Sequence, residues 1–254
     1  MWYLANVFKK KTTLMHKIII TSVLVAIQFI ARAQNEIKPT QQVDLTLSYG
    51  PKEFITSLAW SRLHPILKSR KFQVGYGLRY NGYISNDKDY ITAPAILTSG
   101  ERGPQVLFIE NIEENIDTFS LHNAQHNSIN AVIYLNYQFN PKWSVGFNID
   151  AVGIAFGGSR EGMIISSNKP AAQSNLEIAK PTAYNALLIS DNDIGMLNSE
   201  LYTTYNLKNN LSVKAGFTFL FTEYTTNKKI TYNENNDRFR HKSLMGMIGI
   251  QFNL

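Results

Sequence analysis

From Phe72 to Asn81 the side chains alternate. Phe72, Val74, Tyr76, Leu78 and Tyr80 fall on one face; Gln73, Gly75, Gly77, Arg79 and Asn81 fall on the other. Successive residues of a strand point to opposite sides, so this segment predicts a strand with one apolar and one wet face. The pattern recurs to the last residue. Leu244, Gly246, Ile248, Ile250, Phe252 and Leu254 share a face against Met245, Met247, Gly249, Gln251 and Asn253. Leu211 to Thr222 and Leu197 to Asn206 form a pair across Lys208-Asn209-Asn210, with Glu200, Tyr202 and Thr204 on the polar side. Ile129 to Phe139 and Trp143 to Ile149 form another across Asn140-Pro141-Lys142, a short polar connection suited to a turn. Val43 to Tyr49 and Phe54 to Trp60 make a third, around Gly50-Pro51-Lys52. With the segment opening at Phe72, the chain predicts eight strands.

The connections decide the surroundings. Segments 64–71, 140–142 and 207–210 are short, and 85–126, 155–195 and 225–241 are long. Short and long alternate, as periplasmic turns and extracellular loops do in membrane barrels; only the turn at Gly50-Pro51 is tight on the long side. A closed barrel is the one sheet that can sit in lipid without an unpaired edge. A soluble barrel would bury its apolar face and expose Lys and Glu. Here the polar face is mainly Asn, Gln, Thr, Ser and Gly, while the apolar face is rich in aromatics. The expected fold is therefore all-β: an antiparallel up-and-down transmembrane barrel with long extracellular loops.

The first residues read as targeting rather than structure. His16 and Lys17 precede an apolar run from Ile18 to Ile30, and Ala31-Arg32-Ala33 offers a small-x-small cleavage pattern. The run is short of the roughly twenty residues a membrane helix needs. Residues 1–33 are expected to be a signal peptide, with Met15 an alternative start to Met1, and 34–254 to be the barrel domain. That segment holds five basic residues and no acid, so the 25 basic residues of the chain fall to 20 beyond it, against 19 acidic ones. The net charge of +6 is then a property of the leader and gives no reason to expect a nucleic-acid partner. There is no cysteine, which excludes disulfides, thiolate metal sites and an acylated N-terminal Cys.

In its strand pattern, its leader and its Phe252-containing end strand, the chain resembles the small eight-stranded outer-membrane protein A/X-type barrels of Gram-negative bacteria. The resemblance covers residues 43–254 and implies fold and outer-membrane location but no active site.

Eight strands leave an interior that side chains just fill. Asp44, Arg79, Asp150, Glu200 and Lys214 are expected there among Asn130, Asn136, Asn148, Gln251 and Asn253. Three acids and two bases suit a salt-bridged plug; a narrow ion path is the alternative. Tyr49, Trp60, Phe72, Tyr80, Phe139, Trp143 and Tyr205 are expected as girdles at the lipid boundaries, so the first partner is outer-membrane lipid. Loops 85–126 and 155–195 are the expected seat of contact with an extracellular ligand. Within the first, Ile109, Ile112, Ile116 and Phe119 are spaced for a short amphipathic helix, or belong to solvated strand extensions. In the second, Asp191-Asn192-Asp193 lacks the rest of a calcium loop and reads as a solvated turn.

Catalysis must be weighed, because some small outer-membrane barrels act on lipid A or on peptides with His beside Ser and a carboxylate at the outer rim. Ser120, His122, His126 and Ser128 cluster before one strand, and Glu223 and His241 flank the last loop. Neither Gly-x-Ser-x-Gly nor His-Glu-x-x-His occurs. We expect no enzyme, no cofactor and no metal. His122 and His126, four apart at the end of a strand, should face the same way. A groove joining either to Ser and an acid would favour catalysis; an apolar cap over the barrel would favour structure and binding.

Overall fold

A computed structural model describes residues 38–66, 69–100, 110, 112–166, 175–188, 192–230 and 236–254; the expected leader lies outside them. Eight strands form the barrel: β1 (Thr40–Gly50), β2 (Glu53–Pro65), β3 (Phe72–Thr92), β4 (Thr118–Gln138), β5 (Trp143–Phe156), β9 (Leu197–Lys208), β10 (Leu211–Ile230) and β11 (Asn236–Asn253). Each is antiparallel to the next, and β11 returns to β1 through Gln42↔Asn253 to Tyr49↔Gly246. The sheet therefore closes and has no free edge for lipid to face.

Outward residues are those the alternation assigns. Leu47, Leu58, Leu78, Ile133, Phe217 and Ile248 are all exposed, while their chain neighbours Thr46, Ser57, Arg79, Val132, Thr218 and Met247 are buried. The lower part of β3, Phe72 to Ile84, advances about 3.3 Å per residue. Tilted by roughly 40°, it rises about 30 Å, enough for the ~25 Å apolar band of such barrels. Among the described residues no helix is long and apolar enough to cross a membrane; strands do the crossing.

The long connections are not the loops the sequence suggested. β3 and β4 run together for 21 residues each, paired from Phe72↔Tyr137 to Ile91↔Thr118. The 155–195 segment adds β6 (Arg160–Ile165), β7 (Asn175–Pro181) and β8 (Tyr184–Ala186). β6 pairs with β4, β7 with both β6 and β10, and β11 meets β3 at Phe239↔Thr92 and Arg240↔Ile91. A second ring of six strands, β3-β4-β6-β7-β10-β11, thus stands on the eight-stranded one. Its core is Tyr90, Phe119, Leu121, Ile164, Tyr224 and Phe239. The expected helix at 109–119 is corrected: Ile109 is outside the described residues, Glu113–Asn115 is a single 3-10 turn, and Phe119 belongs to β4. The helix that does form, α1 (Ala95–Ser99), closes on Gly100 at φ 73, a left-handed position glycine takes without strain.

The pattern of faces inverts between the rings. Below, polar side chains point inward; above, Phe119, Leu121 and Tyr90 do. β3 and β4 switch together, at consecutive exposed pairs Asn86-Asp87 and His122-Asn123, without losing register (Asn86↔Asn123, Lys88↔Leu121). Asp87 sits at φ 47, the left-handed conformation that lets β3 turn its faces over. On β3 and β4 the apolar side follows the medium outside, lipid below and water above, whereas β6 and β7 keep Met163, Ile165, Leu176 and Ile178 exposed on their outer face.

Candidate functional site

The lower ring places Asp44, Arg79, Asp150, Glu200 and Lys214 on five strands and brings them together. Arg79 donates Nε and Nη2 to Asp150 Oδ1 at 2.9 and 2.6 Å and lies 3.3 Å from Glu200 Oε1. Lys214 Nζ is 2.9 Å from Asp44 Oδ1 and 3.5 Å from Glu200 Oε2. Amides occupy the remaining carboxylate lone pairs: Asn130 and Asn81 donate to Asp150 Oδ2, and Asn148 donates to Glu200 Oε2. Arg79, Asp150 and Glu200 are each no more than 1% exposed. Buried charges persist only when paired and hydrogen-bonded, and every one here is.

A segment the sequence left as a loop closes this plug from above. Asn185 donates to Asn130 Oδ1 at 2.7 Å and accepts from the backbone N–H of Met196 at 2.8 Å. Met196 then packs with Ile55, Tyr83, Ala155, Leu220 and Met245. Asp193, expected in a solvated turn, is buried: its Oδ1 accepts from Leu188 N–H at 2.6 Å and its carbonyl from Arg238 and Arg240. Asp191 lies outside the described residues. Both arginines also reach Glu223, at 2.8 and 3.1 Å. Only the folded loop reveals this cluster, although Arg-x-Arg at 238–240 opposite Glu223 was a visible charge pattern.

The rim histidines separate. Both lie within β4 rather than at its end, and the switch of faces between them turns His122 outward and His126 inward, contrary to the expectation of a common side. His122 Nδ1 meets Asp87 Oδ1 at 2.5 Å, with Lys52 Nζ 2.9 Å from Oδ2. Hydrogen bonds from Lys52 and His122 hold the Asp87 carboxyl below the usual range. His126 is fully buried against Tyr83, Tyr90 and Tyr224, and its ring nitrogens have no hydrogen-bond partner among the described residues. His241 stands 3.5 Å from Glu53, but Ser243 donates to that same carboxylate at 2.6 Å rather than facing the imidazole. Among the described residues no group of three or more His, Asp or Glu has the spacing to hold a metal ion.

Of the aromatics, Phe72, Phe139, Trp143 and Tyr205 lie at the short-turn end, where the Trp143 and Tyr205 rings meet at 4.7 Å with their planes tilted by 51°, and Tyr49 lies at the other. Trp60 and Tyr80 fall inside the span: Tyr80 pairs with Leu58 and Ile129, and its hydroxyl donates to Asn127. An outward tyrosine with a partner on the next strand needs no headgroup.

The chain matches no protein-family model and no curated protein. Among solved structures it is similar to neisserial surface protein A, at 8% identity and TM-score 0.36 over 85% of this chain and 96% of that one. It is also similar to Ail, the attachment invasion locus protein of Yersinia pestis, in complex with the heparin analogue sucrose octasulfate (9%, TM-score 0.32, 86% and 100%). A third is the toluene transporter TbuX of Ralstonia pickettii (10%, TM-score 0.25, 80% and 68%). No residue role passes to this chain at such identities. Its own closed ring, apolar exterior and polar interior make it an outer-membrane β-barrel protein.

Proposed function

We propose that the chain serves the envelope of a Gram-negative bacterium as a non-conducting, non-enzymatic barrel, exported by its leader, with the upper ring outside the cell as the part that meets an extracellular ligand. The observation that carries this reading is the sealed interior: paired charges fill the lower ring, Met196 and its neighbours lie over them, and an apolar core fills the upper ring. A pore needs a continuous wet path, and buried, mutually paired or apolar side chains occupy the section where one would run. The rim supports the non-enzymatic part. A hydroxyl nucleophile needs its base in contact, yet Ser243 bonds a carboxylate, His126 bonds nothing among the described residues and His122 bonds Asp87. The outward face of the upper ring is the exposed surface the fold adds beyond lipid, and surfaces of that kind are where rigid scaffolds carry binding.

The test is made on the purified barrel. In planar bilayers it should give no stepwise conductance, and it should leave lipid A and model esters unchanged. Turnover lost in His122→Ala or His241→Ala, or steady single-channel steps from the unmodified protein, would overturn the reading.

A further inference from the structure

At the short-turn end, below the charged plug, the lower ring opens into a cavity of about 140 Å³. One water needs only ~10–15 Å³ measured in this way, so the space is roughly ten times larger than a single solvent site. It is also smaller than a drug-sized pocket. Seven carboxamides dominate its wall: Gln42, Gln73, Asn136, Gln138, Asn206, Gln251 and Asn253. The hydroxyls of Thr40, Ser144 and Tyr202 join them, and no lining residue carries a charge.

We propose that this vestibule is a binding site for a neutral, hydroxyl-rich ligand of about one sugar ring, such as the end of a glycan chain. Three features of the wall carry the proposal. The charges that could have lined it are withdrawn: Lys214 lies 4.0 Å over the Tyr202 ring and is held by Asp44 and Glu200. Tyr202 thus separates a neutral chamber from the plug, and a charged ligand would find no counter-ion. Some of the amides are already oriented. Asn136 donates to Gln73 at 2.9 Å, and Asn206 donates to the Pro141 carbonyl while accepting from Ser212. The side-chain amides of Gln42, Gln138 and Gln251 have no protein partner among the described residues and point into the space from β1, β4 and β11.

A free amide offers two donors and an acceptor, whereas a sugar hydroxyl both donates and accepts. A ring bearing several hydroxyls can therefore satisfy such a wall in more than one orientation. Gly146 makes the room: a Cβ there would meet the Tyr202 ring at 2.4 Å, so any side chain would push Tyr202 out of place. The site lies at the opposite end of the barrel from the upper ring and does not depend on the ligand proposed there.

The experiment is a titration of the barrel in phosphatidylcholine nanodiscs, free of sugar detergent, followed through its ¹⁵N side-chain amide signals. The probes are N-acetylglucosamine, the neutral peptide N-acetylglycinamide, and glutamate. We expect saturable shifts with N-acetylglucosamine, largest at Gln42, Gln138 and Gln251, and only weak, non-saturating shifts with the other two. Ser144→Phe, which fills the chamber, should abolish them; Gln138→Leu, at the mouth, should weaken apparent affinity at least tenfold while the barrel stays folded by heat-modified gel mobility. Linear shifts that never saturate, equal response to all three probes, stronger binding of the peptide, or unchanged affinity in Gln138→Leu would each overturn the assignment.

Discussion

Arg79 and Leu78 are chain neighbours in opposite media. Arg79 has four polar partners in the plug: Asp150, Asn148, Glu200 and the Asn198 carbonyl. Leu78 is 56% exposed, on the face turned to lipid. Removing one partner of a buried ion pair costs about 3–5 kcal/mol, because the carboxylates left behind remain desolvated. A charge on the lipid face near the midplane costs roughly 2–4 kcal/mol. Arg79→Ala and Leu78→Arg should therefore both lower the urea midpoint in vesicles strongly. Asn136→Gln, which keeps an amide beside Gln73, should move it much less. A midpoint for Asn136→Gln as low as for Arg79→Ala would mean that the plug is not what holds the lower ring.

Among the elements, β6 tests whether the upper ring is a packed unit or an ornament. Its Gly162 faces inward, and a Cβ there would meet Phe119 Cε2 at 2.6 Å and Leu121 Cδ2 at 2.7 Å, both in the buried core. Both pack in one buried cluster with Ile164 and Phe239, which leaves them little room to give way. Overpacking of this kind costs about 1–3 kcal/mol. Gly162→Val should loosen β6 and β7 while the lower ring keeps its own closure. The expected readout is faster cleavage after Glu177, in β7, by a glutamate-specific protease, with unchanged heat-modified mobility. Met163→Thr, on the outward side of the same strand, should leave cleavage as it was.

For the whole molecule, orientation follows from which end carries the second ring. Short connections join β2 to β3, β4 to β5 and β9 to β10 at one end; the six-stranded ring stands at the other. With the upper ring outside the cell, cysteines at exposed Asn123 and Lys228 should react with an impermeant thiol reagent on intact cells, and one at Lys142 should not. The reverse result would place the upper ring in the periplasm. It would also move the amide-lined vestibule to the cell surface.

The eight lower strands, their faces and the five plug residues were legible because lipid forces the issue. A side chain on a membrane strand meets either hydrocarbon or lumen, so each residue of Phe72–Asn81 states its own face. The upper ring was not legible, because water tolerates both faces and the contacts that build it are distant. β6 finds β4 about forty residues earlier in the chain, and β7 finds β10 about as far ahead. Asp87 and His122 show the limit most clearly. Nothing in the two-residue alternation announces that both strands turn over there, yet that turn sets His122 in solvent and His126 in the core. The sequence determined which strands cross the membrane through the local periodicity that lipid demands. Only the tertiary structure decided what stands above them and what fills them, because those positions depend on partners far along the chain and on a change of solvent that occurs partway up β3 and β4.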